Sequence, residues 1–156
     1  MENPFGTYAA AFARDLNLPI DDRMLVEGFT ATVADQHRPD QVLRLAVMPG
    51  RSGEEVILAC NIGTVAADRA SAVYGDLLDD ALLPGAFNMN YYLDPNCREV
   101  TAAAVLSYDD LSDADLRSYA EAFLQRAGNR LRGVSESKPT ARLDWHQMTA
   151  YSQSFV

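Results

Sequence analysis

Apolar residues recur along this chain with two different periods. Near the start they return every three or four positions: Phe5, Tyr8, Phe12 and Leu16 fall on one stripe, the mark of an amphipathic helix. Asn3 can cap it, Pro4 suits its first position and Pro19 should end it. The period then drops to two. "MLVEGFTATVAD" (residues 24–35), "QVLRLAVMP" (41–49) and "EEVILACNI" (54–62) read as three strands. The short, turn-rich links "QHRPD" and "PGRSG" predict an antiparallel meander. Leu25, Phe29 and Val33 share one face of the first strand, and Leu43, Leu45 and Val47 one face of the second. The opposite face, with Val26, Thr30, Val42, Ala46, Met48 and Ile57, is more apolar than a solvated sheet surface should be.

The helical period returns at Ala66, Ala70, Val73, Leu77 and Ala81, with Tyr74 and Leu78 alongside. Thr64 is a candidate cap, and Pro84-Gly85 a stop. "AFNMNYYLDPNCREVTAAAVLSY" (86–108) then reads as two strands joined at Asp94–Cys97. Alanine is a poor strand residue, so Ala102, Ala103 and Ala104 in a row mark a place where something approaches the sheet closely. The last helix carries a capping box at Ser112 and Asp115, staple residues Leu111 and Leu116, and basic Arg126, Arg130 and Arg132 towards its end. Gly133 suits its C-terminal cap. The expected order is α-β-β-β-α-β-β-α: an α+β fold, a twisted antiparallel sheet with helices packed on it. Residues 1–133 form the body, and 134–156 a polar tail expected to be flexible, with Trp145, Tyr151 and Phe155 as its aromatic residues.

Composition narrows the function more by exclusion than by suggestion. A chain of 156 residues can fold as one domain without disulfide or metal. A net charge of −9 argues against nucleic acid as a partner; solubility alone accounts for most of it. No apolar run reaches membrane-spanning length, and the N-terminus lacks a basic stretch followed by an apolar one. Neither membrane insertion nor secretion is therefore expected. Cys60, in an apolar run, and Cys97, in a turn, are expected as free thiols in a reducing compartment. No phosphate-binding loop, dinucleotide fingerprint, nucleophile elbow or zinc-helix motif occurs. His37, His146 and the cysteines lack metal-site spacing. Asp79-Asp80 is read as the wet face of a helix, and Asp109-Asp110 with Asp113 and Asp115 as capping. No catalytic residue, metal or cofactor is expected. What remains is binding surface.

The element order resembles that of the class I chaperones of type III secretion, the Tir chaperone or CesT-like family. The likeness is carried by "YGDLLDDALLPG", by "YLDPN" followed by "REVTAAAVLSY", and by "LSDADLRSYAEAFLQRAGNRL", with "DLNLPIDD" ahead of the first strand. It covers about residues 5–133. Length, acidity and Ala/Asp/Arg-rich composition also resemble the promiscuous HpaB-type branch. One departure is that the family's glycine before the first strand would here be Gly28, inside it. The resemblance implies a homodimer in the bacterial cytoplasm that binds an extended N-terminal segment of secreted effectors and keeps it non-globular, with the secretion ATPase as a further partner. The expected effector-binding residues are Phe5, Tyr8, Phe12, Val26, Val42, Ala46, Met48 and Ile57. The expected dimer interface is Val73, Leu77, Leu78, Met89 and Tyr91. Two alternatives stay open at this point: a YbjN-like cytosolic regulatory or stress protein, and a small-ligand-binding α+β domain.

Overall fold

In the computed structural model, which describes residues 4–35, 38–83, 88–111, 115–131 and 134, the two periods separate into helices on one side and a single sheet on the other. Helix α1 spans Pro4–Asp15 and buries Phe5, Ala9, Phe12 and Ala13. It stops well before Pro19. Asn17 takes a φ of 54° and the Leu18 N–H donates to Ala13 O at 2.9 Å, a left-handed C-terminal cap of the kind asparagine tolerates.

The next segment corrects the expected strand. Met24–Glu27 forms a single helical turn, α2, begun where Asp21 Oδ1 accepts the Met24 N–H at 2.8 Å. Gly28 follows with a φ of 94°, and a Cβ there would lie 2.3 Å from Val47 O. Only glycine fits this close approach and this backbone. Strand β1 therefore begins afterwards, at Phe29–Asp35. The apparent departure from the chaperone pattern disappears: Gly28 precedes the first strand.

Strand β2 spans Arg38–Pro49 and β3 spans Glu55–Thr64, both longer than expected. Thr64 is thus a strand residue, not a cap. A short 3₁₀ turn, Ala67–Arg69, leads into α3, Ala70–Leu82. Strands β4 (Met89–Leu93) and β5 (Glu99–Ser107) are joined by the expected turn. There Asp94 Oδ1 accepts the Asn96 N–H at 2.8 Å, and Arg98 takes a φ of 58°. Helix α4 spans Asp115–Leu131. Its expected cap Ser112, Gly133, the stop at Pro84-Gly85 and the tail from 135 onward lie outside the described residues. Val134 is described and belongs to the core, 3% exposed, with its N–H on Arg130 O.

The five strands form one antiparallel sheet in the order β1-β2-β3-β5-β4. Register sorts its side chains strictly. Phe29, Val47, Leu58, Ala104 and Met89 make one row on the inner face, and Ala31, Leu45, Cys60, Ala102 and Tyr91 the next. Helix α4 packs across β3 and α3 against β4. Phe123 and Leu116 of α4, with Phe5 and Phe12 of α1, close the core over these rows. Each such side chain contributes about 1.5–3 kcal/mol on full burial. A bulge after Asn61 breaks the β3–β5 register. Gly63 takes a φ of 122° there and gives its N–H to the buried Asn61 Oδ1 at 2.8 Å.

Candidate protein-binding surfaces

The alanine run divides between the two faces. Ala102 and Ala104 stand opposite Tyr91 and Met89 on the inner face, small residues beside large ones in one layer. Ala103 points the other way. It lies in register with Ala59 and Ala46, so the three alanines cross β5, β3 and β2 as a line on the outer face. They form a second, separate buried cluster, with Met48 and Tyr92 packed against it. Beside this line runs a taller row, Met48, Ile57 and Val105, again in register on three adjacent strands. Val105 is 42% exposed and Val42, further along β2, 47%. The outer face therefore carries a line of alanines buried beneath their neighbours and, beside it, a taller apolar row that reaches solvent at Val105.

The eight expected effector-contact residues are not all on this face. Val42, Ala46, Met48 and Ile57 are, with Ala46 forming part of the buried alanine line. Val26 is exposed but sits on the α2 turn rather than on the sheet. Phe5 and Phe12 are closed within the protomer core, because α1 has no other surface to bury. Tyr8 is half-buried; its ring stacks on Tyr108 at 5.3 Å and its hydroxyl donates to Leu111 O at 2.6 Å. Val105 was missed by sequence reasoning, although its place two residues from Ala103 on an alternating strand is the signal that could have found it.

A second apolar surface lies on α3. Val73 and Leu77 point inward and are buried, and Met89 beneath them is 1% exposed. Of the five expected interface residues these three are thus closed within the chain, and Tyr91 is half-buried. Leu78 points outward at 67% exposed, joined by Leu82 at 83% and Leu83. Leu82 and Leu83 were not singled out from the sequence. The cue was available: leucines at 77, 78, 82 and 83 cannot all occupy one stripe of a helix. Gly75 lies on the same side as Leu78 and Leu82 at helical spacing, and a Cβ there would meet nothing within 4 Å.

Behind α3 stands a polar cluster that corrects the reading of Asp79-Asp80. Asp79 is exposed, but Asp80 is 3% exposed. The Tyr91 hydroxyl and Arg126 Nε both donate to Asp80 Oδ2, the latter at 3.1 Å. Arg130 Nη2 donates to Oδ1 at 2.5 Å, and Arg126 Nη2 to the Asp80 carbonyl, also at 2.5 Å. Burial alone would raise the carboxyl pKa. The hydrogen bonds from Tyr91 and Arg130 and the two guanidinium charges outweigh it and hold the pKa below the usual range. Tyr91 is pushed the other way by burial and by its contact with Asp80. Arg126 and Arg130 were read as complements to the helix terminus; they are the partners of Asp80. Both carboxylate oxygens and the carbonyl of Asp80 accept from donors of the protein itself, so the cluster is a lock between α3, β4 and α4.

Among the described residues no group of three or more His, Cys, Asp or Glu is placed to hold a metal ion. Burial pushes the Cys60 thiol up to about 12, which leaves it neutral and inert. Cys97 is exposed in the β4–β5 turn, and both cysteines are free. No helix among the described residues is long and apolar enough to cross a membrane.

A five-stranded antiparallel sheet in this order, with α1 and α4 over one face and α3 at the β4 side, is the fold of the type III secretion chaperones. Three solved structures illustrate it. SycH of Yersinia pestis, solved in complex with a stable fragment of YscM2, superposes with a TM-score of 0.54 at 17% identity, covering 80% of this chain and 98% of that one. The HopA1–SchA chaperone–effector complex gives 0.56 at 17% identity, over 86% and 94% of the two chains. The ExoU–SpcU complex of the Pseudomonas aeruginosa type III secretion system gives 0.56 at 13% identity, over 83% and 98%. No family model and no curated protein matches the sequence.

Proposed function

We propose that this chain is a cytoplasmic type III secretion chaperone that binds an extended N-terminal segment of secreted effectors and keeps it non-globular. The observation that carries this reading is the outer face of the sheet. Met48, Ile57 and Val105 form an apolar row across three strands of that face, half-buried at Met48 and Ile57 and exposed at Val105, in a fold shared with solved structures of complexes with protein partners. An extended chain presents side chains alternately, and an apolar row of this kind gives every second one a place to bury. Methionine in the row adapts to different side-chain shapes. Of the expected contact residues, Val42, Met48 and Ile57 have surface to offer, whereas Ala46 is buried beneath its neighbours.

The chaperone acts as a homodimer through the exposed side of α3, where Leu78, Leu82 and Leu83 are too apolar to stay in water on a free helix. It needs no cofactor and performs no covalent step. Residues 1–134 carry this function, and the secretion ATPase is its downstream partner. The test is co-expression with N-terminal fragments of the type III effectors encoded in the same genome. Co-elution of at least one fragment in a fixed ratio, with the fragment still protease-sensitive, is expected. Failure of every fragment to co-elute with a folded chain would overturn the reading.

A further inference from the structure

We propose that Arg44 and Asn61, side by side on the outer face of the sheet, form a carboxylate-binding site that selects bound segments carrying an aspartate or glutamate with an apolar residue two positions away. The inference rests on the chaperone reading above and names the kind of segment that such a chaperone would take.

The outer face has a polar row as well as an apolar one. Leu45 pairs with Cys60, so the next residue on each strand places Arg44 beside Asn61, about 5 Å apart at the backbone. Thr32 stands opposite Arg44 on β1, and Thr101 and Tyr92 continue the row on β5 and β4. Arg44 and Val42 lie beyond the alanine line from Met48, so an occupant there does not displace the side chains packed on those alanines.

Both principal groups of the row are donors in want of an acceptor. Asn61 is 6% exposed. Its Oδ1 accepts the Gly63 N–H at 2.8 Å, which fixes the amide and leaves its NH2 with no acceptor among the described residues. Arg44 is exposed, in a strand whose other residues on this face are Val42, Ala46 and Met48. Arg23, Arg117, Arg126 and Arg130 hold carboxylates of the chain itself. Arg44 has no such partner among the described residues.

A guanidinium and an amide NH2 can only donate. A carboxylate brings two acceptor oxygens and the opposite charge, where a backbone carbonyl brings one oxygen and no charge. Val42, two residues along β2 and 47% exposed, sets the second requirement. In an extended segment laid along β2, side chains two apart project to the same side with the spacing of Arg44 and Val42. A chain of net charge −9 repels acidic segments in general, so a preference for them has to come from a local site of this kind.

A phage-displayed library of random peptides of about twelve residues, selected on the full chain, tests the assignment. The wild type should enrich Asp or Glu with an apolar residue two positions away. Arg44→Glu should turn the enrichment towards Lys and Arg. Arg44→Gln should remove the charge preference, and it carries the test alone if the first variant fails to fold. For one selected peptide, replacing its carboxylate by the amide should weaken binding about tenfold on the wild type and no more than about twofold on Arg44→Gln, read by fluorescence anisotropy. Enriched peptides without a charge preference, or an acidic preference that survives Arg44→Gln, would overturn the site and leave segment binding standing. No enriched peptide on a folded wild type would overturn segment binding and the site with it.

Discussion

Arg130 Nη2 lies 2.5 Å from Asp80 Oδ1, joining α4 to α3 across fifty residues of chain. Arg126 completes the pairing from one turn earlier, and the Tyr91 hydroxyl from β4. The helix that displays Leu78 and Leu82 is thereby fixed to the body by a buried carboxylate. Its partners are less buried, with the Arg126 and Arg130 side chains 20% and 36% exposed. Asp80→Ala leaves two guanidinium groups that can turn to water, so the loss should sit at the lower end of the range for breaking a buried pair, about 3 kcal/mol. Urea unfolding measures it. Asp79→Ala, one residue away and exposed, should change stability by no more than about 0.5 kcal/mol.

The same contact predicts an acid response. The folded-state pKa of Asp80 lies below its unfolded value. Its contribution is therefore complete above the ordinary carboxylate pKa of about 3.9 and is lost as pH falls through that range towards the folded value. The stability gap between wild type and Asp80→Asn should be constant from neutral pH down to about pH 5 and narrow below about pH 4. A gap that stays constant through the acid range would show that Asp80 is not held ionised by its neighbours.

Adjacent leucines on α3 should separate folding from assembly. Leu77 is buried and Leu78 exposed. Leu77→Asp places a charge in the core and should prevent folding. Leu78→Asp should leave the far-ultraviolet spectrum and melting temperature intact and reduce the mass in light scattering from two chains to one. A wild type that already scatters as one chain at micromolar concentration would remove the proposed interface.

Gly75 offers an independent check on that interface. Nothing lies within 4 Å of a Cβ placed there, and glycine inside a helix costs about 1 kcal/mol relative to alanine. Gly75→Ala should stabilise an isolated protomer by about that amount. If a partner helix packs closely on this side, the added methyl should instead cost about 1–3 kcal/mol of association, which is about 5- to 150-fold in the dimer dissociation constant. Unchanged association would mean that α3 meets its partner elsewhere along its length.

The chain's periodicity made most elements legible and left their arrangement hidden. Helix and strand periods at Phe5–Phe12, Leu43–Val47 and Leu116–Ala127 mark real elements because each buries one face. Met24–Glu27 is a single turn, too short to show a period, and the strand pattern of its neighbours absorbed it. Gly28 was the cue, since glycine at a positive φ is needed where a chain touches the β2 backbone. The placement of β5 between β3 and β4 follows from packing, and no local pattern encodes it. Asp80 was unreadable for the same reason: its partners are Tyr91, Arg126 and Arg130, and a buried aspartate has the same letter as a solvated one. The outer sheet face was visible as excess apolarity on β2, whereas the alanine line appears only once Ala46, Ala59 and Ala103 stand in register.

The final prediction tests that face as a binding surface. Ile57 sits between Met48 and Val105 at the centre of the apolar row, half-buried, while Val105 is more open. A glutamate at 105 can reach water without disturbing the inner layer, where Leu106 and Ala104 face the core. Val105→Glu should therefore leave the unfolding midpoint within about 0.5 kcal/mol of wild type. In a complex, the same carboxylate would be covered by an apolar segment and desolvated without a partner, which costs at least about 2 kcal/mol. Effector affinity should fall by about 30-fold or more. Ile57→Glu should abolish binding with some loss of stability, because its side chain is partly shared with the sheet. Titration calorimetry with a co-eluting fragment gives the affinities, and urea unfolding of the same samples gives the stabilities. Full affinity in both variants, with both folded, would move the effector site off this face.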